Sequence, residues 1–244
     1  MKLISVNIEH SKHLARVLPF LEREKPDIVC CLEICETDVL EFEKLLGMQS
    51  FFKRVNKGTM EKDAHENYVG NAIFANSFIS KDFQYYYGTE ESVGPYVHSP
   101  DITKFRNNSQ LPLLWADIEH DGVVYRIATT HLTWTMRGES TDFQLEDVDN
   151  MLAIAKQQGE LVLCGDFNAP RGGETFSRIA KEYKDNIPLE YKTSIDQNLH
   201  KVKGLQYMVD GLFTTPNYLA NDVKLVDGVS DHMAIVATIS RKKE

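Results

Sequence analysis

Apolar residues run along this chain in short unbroken stretches, and nearly every stretch closes on a polar side chain. Residues 2–7 read Lys-Leu-Ile-Ser-Val-Asn, and residues 27–32 read Asp-Ile-Val-Cys-Cys-Leu before Glu33. Runs without polar alternation mark strands covered on both faces, so both predict inner strands. Between them Leu14, Val17, Leu18 and Leu21 fall at helical spacing, with Pro26 as the stop. Leu40, Phe42, Leu45 and Leu46 predict a second helix from Thr37, closed near Gly47. Residues 51–67 are polar and irregular, and Lys53, Arg54, Lys57 and Lys62 make them read as a basic, solvated loop.

Strands are expected at 71–75 and 83–87, then a long loop over 88–110 that contains Arg106. Residues 113–119 and 123–130 form a hairpin signature around His120-Asp121-Gly122, and the second strand runs into His131. Residues 142–157 carry Phe143, Leu145, Val148, Met151, Leu152 and Ile154 at near-helical spacing. The strand that follows, Leu-Val-Leu-Cys-Gly-Asp-Phe-Asn-Ala-Pro over 161–170, is expected to leave its sheet at Gly165. Another helix is expected from near Gly173 to before Lys184, a strand over 205–213 interrupted by Asp210, and a terminal strand over 234–239 after Ser230-Asp231-His232.

Composition narrows the reading. With 244 residues, 42% hydrophobic and 26% charged, the chain suits one soluble domain spanning 1–244, and a monomer is expected. A net charge of -9 does not favour nucleic acid as partner, although a local basic groove stays compatible with an acidic average. Cys30, Cys31, Cys35 and Cys164 make no C-x-x-C pair and sit in apolar runs, as buried small hydrophobes do. No stretch approaches the roughly 20 apolar residues of a membrane-spanning helix, so a cytoplasmic protein is expected.

Candidate chemistry lies at the strand ends. Asn7, Glu33, His131, Asp166, Asn168, Asp210, Asp231 and His232 each stand at or beside the end of an apolar run, where ligands bind when strand ends converge. Asp166 and Asn168, two apart in an extended segment, project to the same side as one carboxylate and one amide. Val6-Asn7-Ile8-Glu9, Leu32-Glu33, Thr130-His131-Leu132, Gly165-Asp166-Phe167-Asn168, Val209-Asp210 and Ser230-Asp231-His232, in this order and spacing, resemble the endonuclease/exonuclease/phosphatase superfamily of metal-dependent phosphoesterases.

The resemblance implies an α/β fold, a four-layer sandwich of two mixed β-sheets packed face to face with helices outside. It also implies Mg²⁺, or Mn²⁺ in its place, held by Glu33 with Asn7 and Asp231. His232 would pair with Asp210 as a catalytic dyad, Asp166 and Asn168 would position water and phosphate, and His131 would contact phosphate or protonate the leaving oxygen. Asn168 and His131 complete the implied substrate contacts, Arg106 in the 88–110 loop is a further candidate substrate contact, and Glu9 stands where some members have Asp. The implied function is hydrolysis of a phosphodiester or a phosphorylated small molecule. Action on DNA, and a catalytically silent binding module of the same fold, are the alternatives.

Overall fold

The computed structural model describes residues 1–60, 63–95, 106 and 109–242; Lys62 lies outside them. Sheet one is built from β1 (Lys2–Asn7), β2 (Ile28–Cys35), β3 (Gln49–Met60), β4 (Asp63–Ala75), β11 (Tyr218–Val226) and β12 (Ala234–Arg241), in the order β11-β12-β1-β2-β4-β3. Sheet two takes β5 (Ser80–Tyr87), β6 (Leu111–His120), β7 (Val123–His131), β8 (Val162–Asp166), β9 (Lys184–Asp185) and β10 (Asp210–Thr214), in the order β5-β6-β7-β8-β10-β9. The chain crosses over through α1 (Leu14–Glu24) between β1 and β2, and through α3 (Asp142–Gln157) between β7 and β8. Each crossover makes one parallel pair in a sheet whose other pairs are antiparallel. Two further α-helices are α2 (Val39–Leu46) and α4 (Glu174–Glu182).

Three apolar layers explain why the runs carry no polar alternation. Leu3, Cys30 and Ile73 of sheet one meet Leu114, Ile127, Val162 and Cys164 of sheet two in the central layer. Ile4, Val29, Cys31 and Phe74 face outward onto Val17, Phe20 and Leu21 of α1 and Phe42 of α2. Leu113, Ala128 and Leu163 face Val148, Met151 and Ile154 of α3 and Phe176 and Ile179 of α4. The result is helix, sheet, sheet, helix. Adjacent Cys30 and Cys31 point to opposite faces, and all four cysteines are buried and free.

Several elements depart from the expected ones. The basic segment after α2 is not a loop: β3 and β4 form a long hairpin whose register slips between Arg54 and Asn56 and again between Gly58 and Met60. Its polar residues lie on an edge strand, where one face and one flank meet water. β8 does not leave its sheet at Gly165 but runs to Asp166, with Gly165 opposite both Thr130 and Gly211. Glycine is required there because φ is 149° and a Cβ would stand 2.0 Å from the Thr130 carbonyl oxygen. Asp210 begins β10 rather than interrupting it, and β11 and the two-residue β9 were not expected. Among the described residues no helix is long and apolar enough to cross a membrane.

Candidate active site

The two parallel pairs direct the carboxyl ends of β1, β2, β7 and β8 to one rim of the sandwich, as rules for open α/β sheets require of a ligand site. Asn7 closes β1 and His131 closes β7. Glu33 sits where the β2–β4 register shifts between Cys31 and Ile34, a bulge that turns its side chain out of the ladder. Asp166 stands opposite His131 on one side and Asp210 on the other. β12 runs antiparallel to β1, so Asp231 and His232 just before it arrive at the same rim.

Side chains then join the two sheets. The Asn7 amide donates to Glu33 Oε1 at 3.0 Å and to Asp166 Oδ2 at 3.2 Å, while its own oxygen accepts from the Glu9 N–H. Asn7 therefore orients the neighbouring carboxylates, and its oxygen keeps a second lone pair beside the bond from Glu9. His232 Nδ1 lies 2.8 Å from Asp210 Oδ2 and 3.7 Å from Asp166 Oδ2. His131 stands between Glu33 Oε1 at 3.9 Å and Asp166 Oδ2 at 3.5 Å. Asn168 donates its backbone N–H to Asp166 Oδ1 and one amide N–H to the Leu132 carbonyl, leaving an amide N–H and oxygen for the cleft.

Left-handed backbone recurs at the site: Glu9 at φ 46°, His10 at 63°, Glu33 at 55° and Asn168 at 49°. Conformations of this kind cost about 1–3 kcal/mol each and persist where surrounding contacts over-determine them. Here the contacts are the Asx turn at Asp166, the Asn7 oxygen on Glu9 N–H, and His10 N–H on the Glu33 carbonyl.

Charge at the rim is concentrated and buried. Burial works against a charged His232, but the carboxylates of Asp210 and Asp166 outweigh it and lift the imidazole well above its ordinary range. Burial, helped by Glu9 and Glu33, raises the Asp231 carboxyl. Glu9 goes the other way: burial opposes its charge, and Lys12 and His13 overcome that opposition. Ligand atoms of Glu9, His13 and Asp231 lie within 4.8 Å of one another, as do those of Asp166, Asp210 and His232. In the second group Nδ1 of His232 is already taken by Asp210. The first group and Glu33 supply the oxygen-rich, mutually repelling donors that suit a hard divalent cation.

These residues open onto a cavity of about 780 Å³ lined by Glu9, Glu33, His131, Asp166, Asn168, Asp231 and His232, with Asn7 and Asp210 behind the lining. Arg106 reaches the same cavity, but its guanidinium is committed to Asp147 at 2.6 Å and Glu146 at 2.9 Å, and it covers the Tyr87 ring at 4.1 Å. Sequence reasoning passed over His13, which meets Glu9 four residues earlier at 3.1 Å, and His200, whose ring lies 6.5 Å from that of His232. The first is brought to Glu9 by the turn between β1 and α1, where Glu9 has a φ of 46°, so no helical spacing signalled it. For His200 no local signal existed, because a long connection between β9 and β10 folds it over the rim.

The profile of the Endonuclease/Exonuclease/phosphatase family matches residues 4–232. A search of curated proteins gave no match. Among solved structures, an endonuclease/exonuclease/phosphatase from Bacteroides vulgatus is 16% identical with a TM-score of 0.70, covering 99% of this chain and 98% of its own. The human Nocturnin catalytic domain with bound sulfate is 18% identical with a TM-score of 0.71, covering 99% of this chain and 93% of its own. A mannosyl-6-phosphatase from Bacteroides thetaiotaomicron is 12% identical with a TM-score of 0.70, covering 98% of this chain and 99% of its own. At these identities the structures establish a shared fold.

Proposed function

Since the chain belongs to the Endonuclease/Exonuclease/phosphatase family and is a phosphoester hydrolase, we propose that it is a Mg²⁺-dependent enzyme using an Asp210–His232 dyad on a phosphodiester or a phosphorylated small molecule. The observation that carries the dyad is the 2.8 Å contact of His232 with a carboxylate that is 3% exposed, beside a second carboxylate at 3.7 Å. Glu33 and Asp231 would hold the cation beside Asn7, which fixes Glu33, with Glu9 and His13 adjoining Asp231. The cation supplies charge to neutralise the phosphate oxygens, the main obstacle to nucleophilic attack on a phosphoester.

The remaining work falls to the chain's own groups. Asp166, anchored by Asn7 and by the Asn168 backbone, accepts a hydrogen bond from the attacking water and takes its proton. The free amide N–H of Asn168 steadies a phosphate oxygen. His232, kept protonated by two buried carboxylates, donates a hydrogen bond to the charge that grows on phosphorus-bound oxygen. A new O–P bond forms, the ester O–P bond breaks, and His131 gives a proton to the departing oxygen.

The test is turnover of bis(p-nitrophenyl) phosphate with Mg²⁺ or Mn²⁺, with and without EDTA. Release of nitrophenol that stops in chelator is expected, and full turnover in excess chelator overturns the metal mechanism. The DNA reading draws no support from β3. Arg54 is held by Glu36 through both of its oxygens at 2.9 Å, and Lys53 lies 3.6 Å from the Phe83 ring centre and 3.4 Å from Glu90.

A further inference from the structure

One wall of the cavity is made by β4, and it holds a polar side chain that the reaction described above does not use. Asn71 is fully buried, yet among the described residues neither its amide nitrogen nor its amide oxygen has a hydrogen-bond partner. Its neighbours in sequence, Val69, Ala72, Ile73 and Phe74, are all buried apolar residues. An unpaired buried amide costs about 1–3 kcal/mol, so an apolar residue would serve this strand better if packing were all that mattered. Val69, Asn71 and Ile73 share a face by strand alternation, and Ile73 lies in the central apolar layer, so that face looks into the space between the sheets. Both Val69 and Asn71 line the cavity.

A second amide stands beside it. Asn56 on β3 pairs in register with Val69, is 9% exposed, lines the same cavity and has an unpartnered amide oxygen. The register also says how far this patch is from the chemistry. Cys31 faces Ala72 and Ile34 faces Gly70, so Asn71 is opposite the bulge that carries Glu33. Adjacent strands lie about 4.8 Å apart, which puts the Asn71 amide one strand from the proposed metal-binding carboxylate.

We propose that Asn71, assisted by Asn56, is a specificity-determining pair that hydrogen-bonds hydroxyl groups on the alcohol part of the substrate, close to its phosphate. This inference rests on the phosphoesterase reading. Asn168 and His131 already face the phosphate in the reaction described above, so the second, neutral amide pair on the β4 wall is left for the neutral part of the substrate. An amide offers a donor and an acceptor side by side, and neighbouring hydroxyls offer the same combination in return. Proximity to Glu33 selects a group within a few bonds of phosphorus, which on an ester is the carbon skeleton of the alcohol. A sugar or a cyclitol supplies such hydroxyls, and a simple alkyl ester does not. A site built to hydrogen-bond a hydroxyl rejects the analogue that lacks it, because its polar atoms are then left unpaired.

The experiment compares matched ligands on the folded protein with Mg²⁺ present. Non-hydrolysable methylene phosphonates of ribose 5-phosphate and myo-inositol 1-phosphate are titrated by calorimetry beside the hydroxyl-free tetrahydrofurfuryl and cyclohexyl counterparts. Wild type should bind at least one hydroxylated ligand about tenfold more tightly than its bare counterpart, as one or two neutral hydrogen bonds allow. The preferred ring tells a furanose from a cyclitol source. In Asn71→Leu that ratio should collapse toward one, and in Asn56→Leu it should fall about threefold. The ratio is informative because a general loss of structure weakens both members of a pair and leaves their quotient unchanged. If Asn71→Leu does not fold, Asn56→Leu and Asn71→Ala carry the same comparison. Equal affinity for hydroxylated and bare ligands in wild type, or an unchanged ratio in the folded variants, overturns the subsite. Failure of all four phosphonates to bind a protein that still turns over bis(p-nitrophenyl) phosphate also overturns the subsite, whereas absence of both binding and turnover overturns the phosphoester reading on which it rests.

Discussion

Asp210→Asn keeps the volume and shape of a side chain that is 3% exposed while removing its charge, so it isolates the electrostatic share of the dyad. In wild type His232 Nδ1 lies 2.8 Å from this carboxylate, and the second carboxylate, Asp166, is farther at 3.7 Å. A unit-charge pair about 4 Å apart is worth about 4 kcal/mol at an effective dielectric near 20. If that support is lost only when the imidazolium must stabilise the transition state, about three decades of turnover go with it, at about 1.4 kcal/mol per decade. The parallel Asp-to-Asn change in a serine protease triad lowers turnover about 10⁴-fold, on an unrelated fold.

Mg²⁺ affinity should barely move in this variant, because Glu33 is held by Asn7 and not by Asp210. Glu33→Gln should behave differently, losing both turnover and Mg²⁺ affinity as an anionic oxygen leaves the cation. The assay is turnover of bis(p-nitrophenyl) phosphate at saturating Mg²⁺ beside calorimetric Mg²⁺ titration of both variants. Equal loss of Mg²⁺ affinity in the two would make the Asp166, Asp210 and His232 cluster a metal site. Undiminished turnover in Asp210→Asn would take the dyad out of the mechanism.

Other expectations concern the scaffold. Gly165→Ala drives a Cβ to within 2.0 Å of the Thr130 carbonyl oxygen and should lower the urea midpoint by the equivalent of about 3 kcal/mol or more; a wild-type midpoint would mean the β7–β8 contact is slack. Arg106→Met strands the fully buried Asp147 carboxylate and should cost about 3–5 kcal/mol of folding stability. A hundredfold rise in KM in an Arg106→Met protein that melts like wild type would return Arg106 to the substrate. The Asp117 carboxyl is held below its ordinary value of 3.8, first by its hydrogen bond from Arg126 at 2.7 Å. Its contribution is complete above that value and is lost as pH falls through the lower folded one, so Asp117→Asn should flatten the acid limb of stability against pH measured by urea midpoints. Binding to duplex DNA should be weak and fall steeply with salt in a fluorescence titration, given a net charge of -9.

The inner strands were legible because burial on both faces leaves an unbroken apolar run, as at Ile28–Cys35 and Val162–Asp166. β3 and β11 were not legible for the same reason reversed. Both are edge strands, β11 buries only Tyr218 and Leu225 with half-buried and exposed residues between them, and bulges break the register of both. Polar residues at strand ends could be picked out singly, and the parallel crossovers gathered them at one rim. Asn71 escaped because it sat inside a segment already assigned as a strand, although asparagine is depleted there and its presence among Val, Ala, Ile and Phe was the available clue. That its amide is unpartnered depends on what β3 and β2 place beside it, which no local pattern encodes.

Asn7 donates one hydrogen bond to a carboxylate of each sheet, and the residues from Asn7 to His232 that meet there come from nearly the whole length of the chain. Thermodynamic linkage follows from that placement. A phosphoester contacted by residues of both sheets, such as Glu33 of sheet one and Asn168 beside sheet two, would bind only when the two sheets are docked, so each molecule bound would act as a clasp on the central interface. At a hundred times its dissociation constant such a ligand adds about 2.7 kcal/mol to global unfolding. Forms in which the sheets part without losing their hydrogen-bonded ladders keep most of their secondary structure and no binding site, which makes ligand affinity a gauge of sheet docking rather than of strand content.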